Sequence, residues 1–211
     1  MSPLPERMAN HWWWRPGCRP GRRQYVWHIL LDDQPAARAA VRKLQAHLTG
    51  MAGLDLVPER WLHMTTHIVG FADEISDADA KAIADTVADS LQAMAPVPVT
   101  FGRTLFHPEA VVLAARPIPA LAPIREAAYR SAVQVLGAGR ADGGGDWVPH
   151  VTAAYSNAEG PAQPVIEAAA EAATTCDAAI GQVHLVAQER IGHSYRWERV
   201  AAVHLGDGTR P

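Results

Sequence analysis

The stretch Trp61-Leu62-His63-Met64-Thr65-Thr66-His67-Ile68-Val69-Gly70-Phe71 and its later counterpart Trp147-Val148-Pro149-His150-Val151-Thr152-Ala153-Ala154-Tyr155 decide how this chain is read. Each sets a histidine and a threonine two positions apart in an apolar segment that predicts a strand. In a strand, residues two apart project from the same face. The first segment therefore aims His63 and Thr65 into one space, and the second does the same with His150 and Thr152. By the same alternation His67 joins the face of His63 and Thr65, which makes it either a further candidate substrate contact or a strand-end histidine that is hydrogen-bonded or solvated. Tyr155 falls by parity on the opposite face, where core packing is its reading.

The surroundings of the two segments match as well. Residues 25–31 read as a buried strand. Asp33 and Pro35 read as an N-cap and an early helical proline, Val41, Leu44 and Leu48 keep helical spacing, and Gly50 ends the helix. After the first motif, Ser76 caps a second helix with the apolar face Ile83, Val87, Leu91 and Met94, which Pro96 stops. Residues 97–106 are another strand, with Pro98 placing its start near an edge. The order then recurs: a strand at 111–115, a helix marked by Leu121, Ile124, Ala128, Ala132, Val135 and Leu136, the second motif, and an alanine-rich helix around 163–173. Strands at 182–188 and 197–205 close the chain. The motif histidines lie 87 positions apart, at 63 and 150, and the same shift lays one set of elements on the other. A unit of strand, helix, motif strand, helix and strand thus occurs twice, and such repetition is an architectural signal. Two copies related by a pseudo-twofold axis would bring His63, Thr65, His150 and Thr152 together across a cleft.

Composition narrows the class. Of 211 residues, 48% are hydrophobic and 19% charged, which fits a globular chain and excludes a disordered or fibrous one. A formal charge of −3 argues against broad, non-specific nucleic-acid binding and leaves room for a local basic groove. Two cysteines, Cys18 and Cys176, supply neither a disulfide framework nor a metal cluster, as expected of a cytoplasmic protein. No apolar run approaches the roughly 20 residues that span a bilayer, so no membrane partner is expected, and the N-terminus lacks the apolar core of a secretory signal. The chain divides into an N-terminal arm (1–24), one bilobal domain (25–206) and a short tail (207–211).

The arm sets Arg15, Arg19, Arg22 and Arg23 beside Trp12, Trp13 and Trp14. Two readings stand. Residues such as Trp14 and Arg15 stack bases and hold phosphates, or the tryptophans cover a sheet edge while the arginines stay solvated. Tyr195, at the head of the last strand, sits where a base or ribose could be held. The glycine-rich run at 137–146 is either a lid over the site or a length-tolerant surface loop.

Two imidazoles facing each other can divide acid and base roles between them. That suits in-line displacement at phosphorus, one imidazole activating the nucleophile while the other protonates the departing oxygen. The threonine hydroxyls can donate to non-bridging oxygens. No metal or cofactor is required. A metal site on His63 and His67 is disfavoured, because a strand separates their Cα atoms by about 13 Å.

The paired motif, the duplicated frame and the length resemble the 2H phosphoesterases, the 2′-5′ RNA ligase/cyclic phosphodiesterase superfamily, over roughly residues 25–205. The resemblance implies a bilobal α+β fold in which each lobe has an antiparallel sheet with helices packed outside. It implies a cleft for a nucleotide or RNA end carrying a 2′,3′-cyclic phosphate or a 2′-5′ linkage. It carries His63 and His150 over as an acid/base pair and Thr65 and Thr152 as phosphate ligands, with hydrolysis of cyclic phosphates by a monomer as the expected activity. Ligation or 2′-5′ phosphodiester cleavage would use the same site. A nucleotide- or RNA-binding module that has lost turnover is the alternative of another class.

Overall fold

The elements form where the sequence provides for them. In the computed structural model, which describes residues 4–139, 147–172 and 175–206, the first strands and helix are β1 (Arg7–Met8), β2 (Gln24–Leu30) and α1 (Pro35–Leu48). Next come β3 (Leu54–Leu56), β4 (His63–Phe71) and α2 (Asp77–Leu91), then the hairpin β5 (Val97–His107) and β6 (Ala110–Arg116), and then α3 (Ile118–Leu136). The remainder is β7 (His150–Ser156), β8 (Gly160–Pro161), α4 (Gln163–Ala170), β9 (Cys176–Ile180), β10 (Gln182–Arg190) and β11 (Tyr195–His204). The Ser76 hydroxyl accepts the Asp79 amide and caps α2, while Asp77 and Asp79 in its first turn suit the positive helix end. Its buried face is Ala80, Ile83, Ala84, Val87 and Leu91. The helix ends at Leu91, short of Met94 and Pro96. In α1 the N-cap is Gln34 rather than Asp33, with Pro35 in the first turn where its missing N–H is not needed.

Three sheets result, all antiparallel. One has the order β11-β10-β2-β4, the second β3-β7-β6-β5-β9, and β1 pairs with β8 alone. The duplication is present, but the copies interlock. The hairpin β5–β6 leaves β5, of the first copy, in the sheet of β6 and β7. Strand β10, of the second copy, pairs with β2 beside β4. The helices cross over too: α1 packs on β7 and β9, with α4 beside it, whereas α3 packs on β4 and against α2. Neither half can therefore close its core alone. The largest fully buried side chains include Trp27 and Phe101, each 0% exposed. Pro98 has a strand partner on one side only, Ala179 of β9, because pairing with β6 begins at Thr100. The strand β9 that supplies this partner has no alternating signature and was not expected from sequence. Residues 140–146 of the glycine-rich run and the tail at 207–211 lie outside the described residues. Among the described residues no helix is long and apolar enough to cross a membrane.

Candidate functional site

The two motif strands hold their histidines in the same way. The Nδ1 of His63 lies 2.8 Å from the Trp61 carbonyl and that of His150 lies 2.7 Å from the Val148 carbonyl. A carbonyl only accepts, so each Nδ1–H donates and each Nε2 is left as the lone-pair nitrogen. The two acceptors, like the two histidines, are 87 positions apart. A bond across the copies ties the motifs together, from the Trp147 indole N–H to the carbonyl of Thr65 at 3.0 Å.

Just beyond each threonine the strand carries a β-bulge. In β4, Thr65 pairs with His28 and His67 with Trp27, leaving Thr66 as the extra residue. In β7, Thr152 pairs with Val112 and Ala154 with Val111, leaving Ala153. A bulge reverses the alternation that follows it. This overturns two expectations from sequence. His67 does not share the cleft face with His63 and Thr65: it is 6% exposed, and its ring meets Tyr129 of α3 edge-on at 5.7 Å. Tyr155 is not a core residue. It lines the cleft with His63 and Tyr195, its hydroxyl near the Thr152 side chain. Ile68, the counterpart of Tyr155, takes the place expected for His67 in the wall of the cleft.

The cleft has two adjoining compartments. A cavity of about 210 Å³ holds His63 and Thr65 together with Trp13, Trp14, Arg190 and Tyr195. A larger one of about 580 Å³ holds His150 and Thr152. They share a wall of His11, Arg15 and Tyr155, and His150 lies near enough to His63 for its charge to lower the His63 ring. Burial pushes His63 down to about 4 and also lowers His150. With no anion in the cleft both rings are neutral at pH 7, not a pair near 6.5. His63 is the more enclosed, 4.1 Å from the fully buried His28 ring and 4.9 Å from Trp197. The Nε2 of His28 is held by Gln188 Oε1 at 2.8 Å, which fixes the surface against which His63 rests.

The arm forms the shared wall. Trp12 is 5% exposed and donates its indole N–H to Asp55 of the edge strand β3, which anchors the arm against that edge. His11 stacks on Tyr155 at 4.1 Å, its Nδ1 against Glu109 and its Nε2 against the Tyr195 hydroxyl. Glu109 also accepts from the Trp13 indole and from Arg15. Trp14 lies under the Arg190 guanidinium at 3.7 Å. Trp14, Arg15 and Tyr195 stand at the cleft; Arg22 also reaches it but is held by Asp73 and Glu74, while Arg19 and Arg23 pair with Asp73 and Glu198. Sequence reasoning missed His11, Glu109 and Arg190, which carry no periodic signal and gain meaning only from where the arm lies. Among the described residues no three His, Cys, Asp or Glu side chains converge to hold a metal ion.

Comparison with known proteins agrees with the fold. A family model described as the 2′-5′ RNA ligase superfamily matches residues 31–192. The structure of TT0787 of Thermus thermophilus superposes with a TM-score of 0.68 at 19% identity, covering 89% of this chain and 100% of that one. Escherichia coli LigT complexed with 3′-AMP gives 0.61 at 14% identity, covering 87% and 98%. The MHV ns2 PDE domain gives 0.52 at 14%, covering 85% and 99%. No curated protein matches in sequence.

Proposed function

This chain belongs to the 2′-5′ RNA ligase superfamily, and from that premise we propose that it is a metal-independent phosphodiesterase that opens 2′,3′-cyclic phosphates of RNA ends or nucleotides. The observation that carries the reading is the matched fixing of His63 and His150, each with Nδ1–H spent on a backbone carbonyl and Nε2 left for the substrate. In the reaction, water attacks phosphorus and gives a proton to Nε2 of one histidine. The bond from phosphorus to a ribose oxygen breaks, and that oxygen takes a proton from Nε2–H of the other. The first histidine must be neutral and the second an imidazolium.

The more strongly depressed His63 suits the base, and His150 suits the acid. A bound phosphate anion supplies the charge that raises His150 and loads its proton, since an opposite charge favours the protonated form. Thr65 and Thr152 donate hydroxyls to the non-bridging oxygens, and Tyr155, through Thr152, steadies the second. Trp14, Arg15 and Tyr195 frame the substrate. The aromatic wall of the His63 compartment also supports the displacement with an RNA 5′-hydroxyl in place of water, which is ligation.

The test is turnover of 2′,3′-cyclic mononucleotides and of short RNAs ending in a 2′,3′-cyclic phosphate, with and without chelator. Monoester product that forms equally in both conditions, and is lost in His63→Ala and His150→Ala, is expected. Binding without turnover by the wild type would leave the non-catalytic module, and chelator sensitivity would defeat the metal-free mechanism.

A further inference from the structure

The compartment around His150 is larger than the reaction at one phosphate needs, and it carries two arginines that the mechanism does not use. Arg103 and Arg116 both line it, both are exposed, and neither has an ion-pair partner among the described residues. This sets them apart from Arg15 in the same wall, whose guanidinium is taken by Glu109 at 2.7 Å. Strand register fixes where they stand. His150 pairs with Ala114 of β6. Arg116 is two residues along that strand, roughly 7 Å on. Arg103 sits in the irregularity of β5 between the pairs Phe101–Ala115 and Thr104–Leu113, on the far side of Ala114 from His150, a distance of about 10 Å across two strand spacings. Leu105, Val112 and Val148 make the apolar part of the same groove.

We propose that this groove binds the RNA strand on the 5′ side of the reacting end, with Arg103 and Arg116 holding the next backbone phosphate and Leu105 and Val148 lying under the nucleoside. The proposal rests on the cyclic phosphodiesterase reading and extends it to the substrate class: a single-stranded oligonucleotide end, preferred over a free cyclic mononucleotide. The topology of the reaction agrees. In a 2′,3′-cyclic end the rest of the strand hangs from the ribose that carries the leaving oxygen, so it must lie on the side of the acid, His150. The nucleophile then comes from the smaller His63 compartment of about 210 Å³. Unpaired guanidinium groups beside an apolar surface can hold a single strand without reading its sequence. They also reconcile such binding with a net charge of −3, because the positive charge is local to the groove.

The experiment compares wild type with Arg103→Gln/Arg116→Gln on two substrates, a 2′,3′-cyclic mononucleotide and a short RNA ending in the same group, over a range of salt. The double variant is expected to keep mononucleotide turnover within about twofold. On the RNA its kcat/KM should fall about 10–100-fold, with the dependence of log KM on log salt shallower by roughly 1–2 contacts. Equal loss on both substrates, or no loss on the RNA, overturns the proposal. Binding of a fluorescent single-stranded RNA with a 3′-phosphate is followed in parallel and needs no turnover. If the wild type cleaves neither substrate but loses RNA affinity on substitution, the reaction fails and the groove stands. If affinity and its salt slope are unchanged, the groove fails whatever the reaction does.

Discussion

His63 and His150 occupy equivalent positions in two copies of one unit and are held by the same backbone bond, yet their surroundings differ. His63 is packed against His28 and Trp197 and is pushed down to about 4. His150 is partly exposed, faces the arginine-lined groove, and is lowered less far. The shared part is what displacement at phosphorus needs on both sides of the atom. In the proposed mechanism the difference tells the two sides apart: the histidine in the drier setting serves as base and the one in the wetter setting as acid. Duplication supplied the symmetry, and burial broke it.

The strongest way to break the comparison is to remove either ring. His63→Ala and His150→Ala are each expected to lower kcat by about 10²–10⁴-fold with unchanged circular dichroism. The double variant should be little worse than either, because the rings act as a unit. Full activity in either variant would mean that the halves do not share one phosphorus. Thr65→Val and Thr152→Val come next, each losing a hydrogen bond to a charged oxygen of roughly 1.5–3 kcal/mol, or about 10–100-fold in kcat/KM. Similar losses sharpen the symmetry, whereas a loss confined to one threonine breaks it.

The pH profile separates the halves further. In the proposed mechanism His63 is neutral and His150 protonated, so kcat/KM is expected to be bell-shaped. It falls on the acid side as pH approaches about 4 and on the basic side as His150, lowered by burial, loses its proton. Burial lowers the pKa of His28 and His63 in the folded state, so the stability they contribute is present above the unfolded value near 6.5. It is lost as pH falls from there through the folded values. Thermal melts between pH 7.5 and 4 should show Tm dropping across that window; a flat Tm would contradict the burial of these rings. The smallest effect expected is that of Tyr155→Phe, which removes only the hydroxyl near Thr152. A loss of about 0.5–1.5 kcal/mol, several-fold in kcat/KM, is expected. No loss at all would separate Tyr155 from the phosphate side of the cleft.

What could be read from the chain follows a physical line. The apolar periods of α1, α2 and α3, the Ser76 cap and the motif spacing are local properties, and each of those elements forms where its residues require. The 87-residue recurrence also survives in the fold, since two similar stretches of sequence meet similar local rules. The short strands β1, β3, β8 and β9 were not legible, as two to five residues at a sheet edge show no alternation and pair only because a neighbour offers them free backbone groups.

By itself, then, the sequence determined the class of fold, the existence of two equivalent motif strands and the four side chains they carry. Tertiary structure alone decided that β5 and β10 exchange sheets, that the arm lies over the cleft through His11 and Glu109, and that Tyr155 and Ile68 face the cleft while His67 turns to Tyr129. The reason for the last is the bulge at Thr66 and at Ala153. An extra residue on one strand is set by its register against a partner strand, and no pattern along a single strand records it.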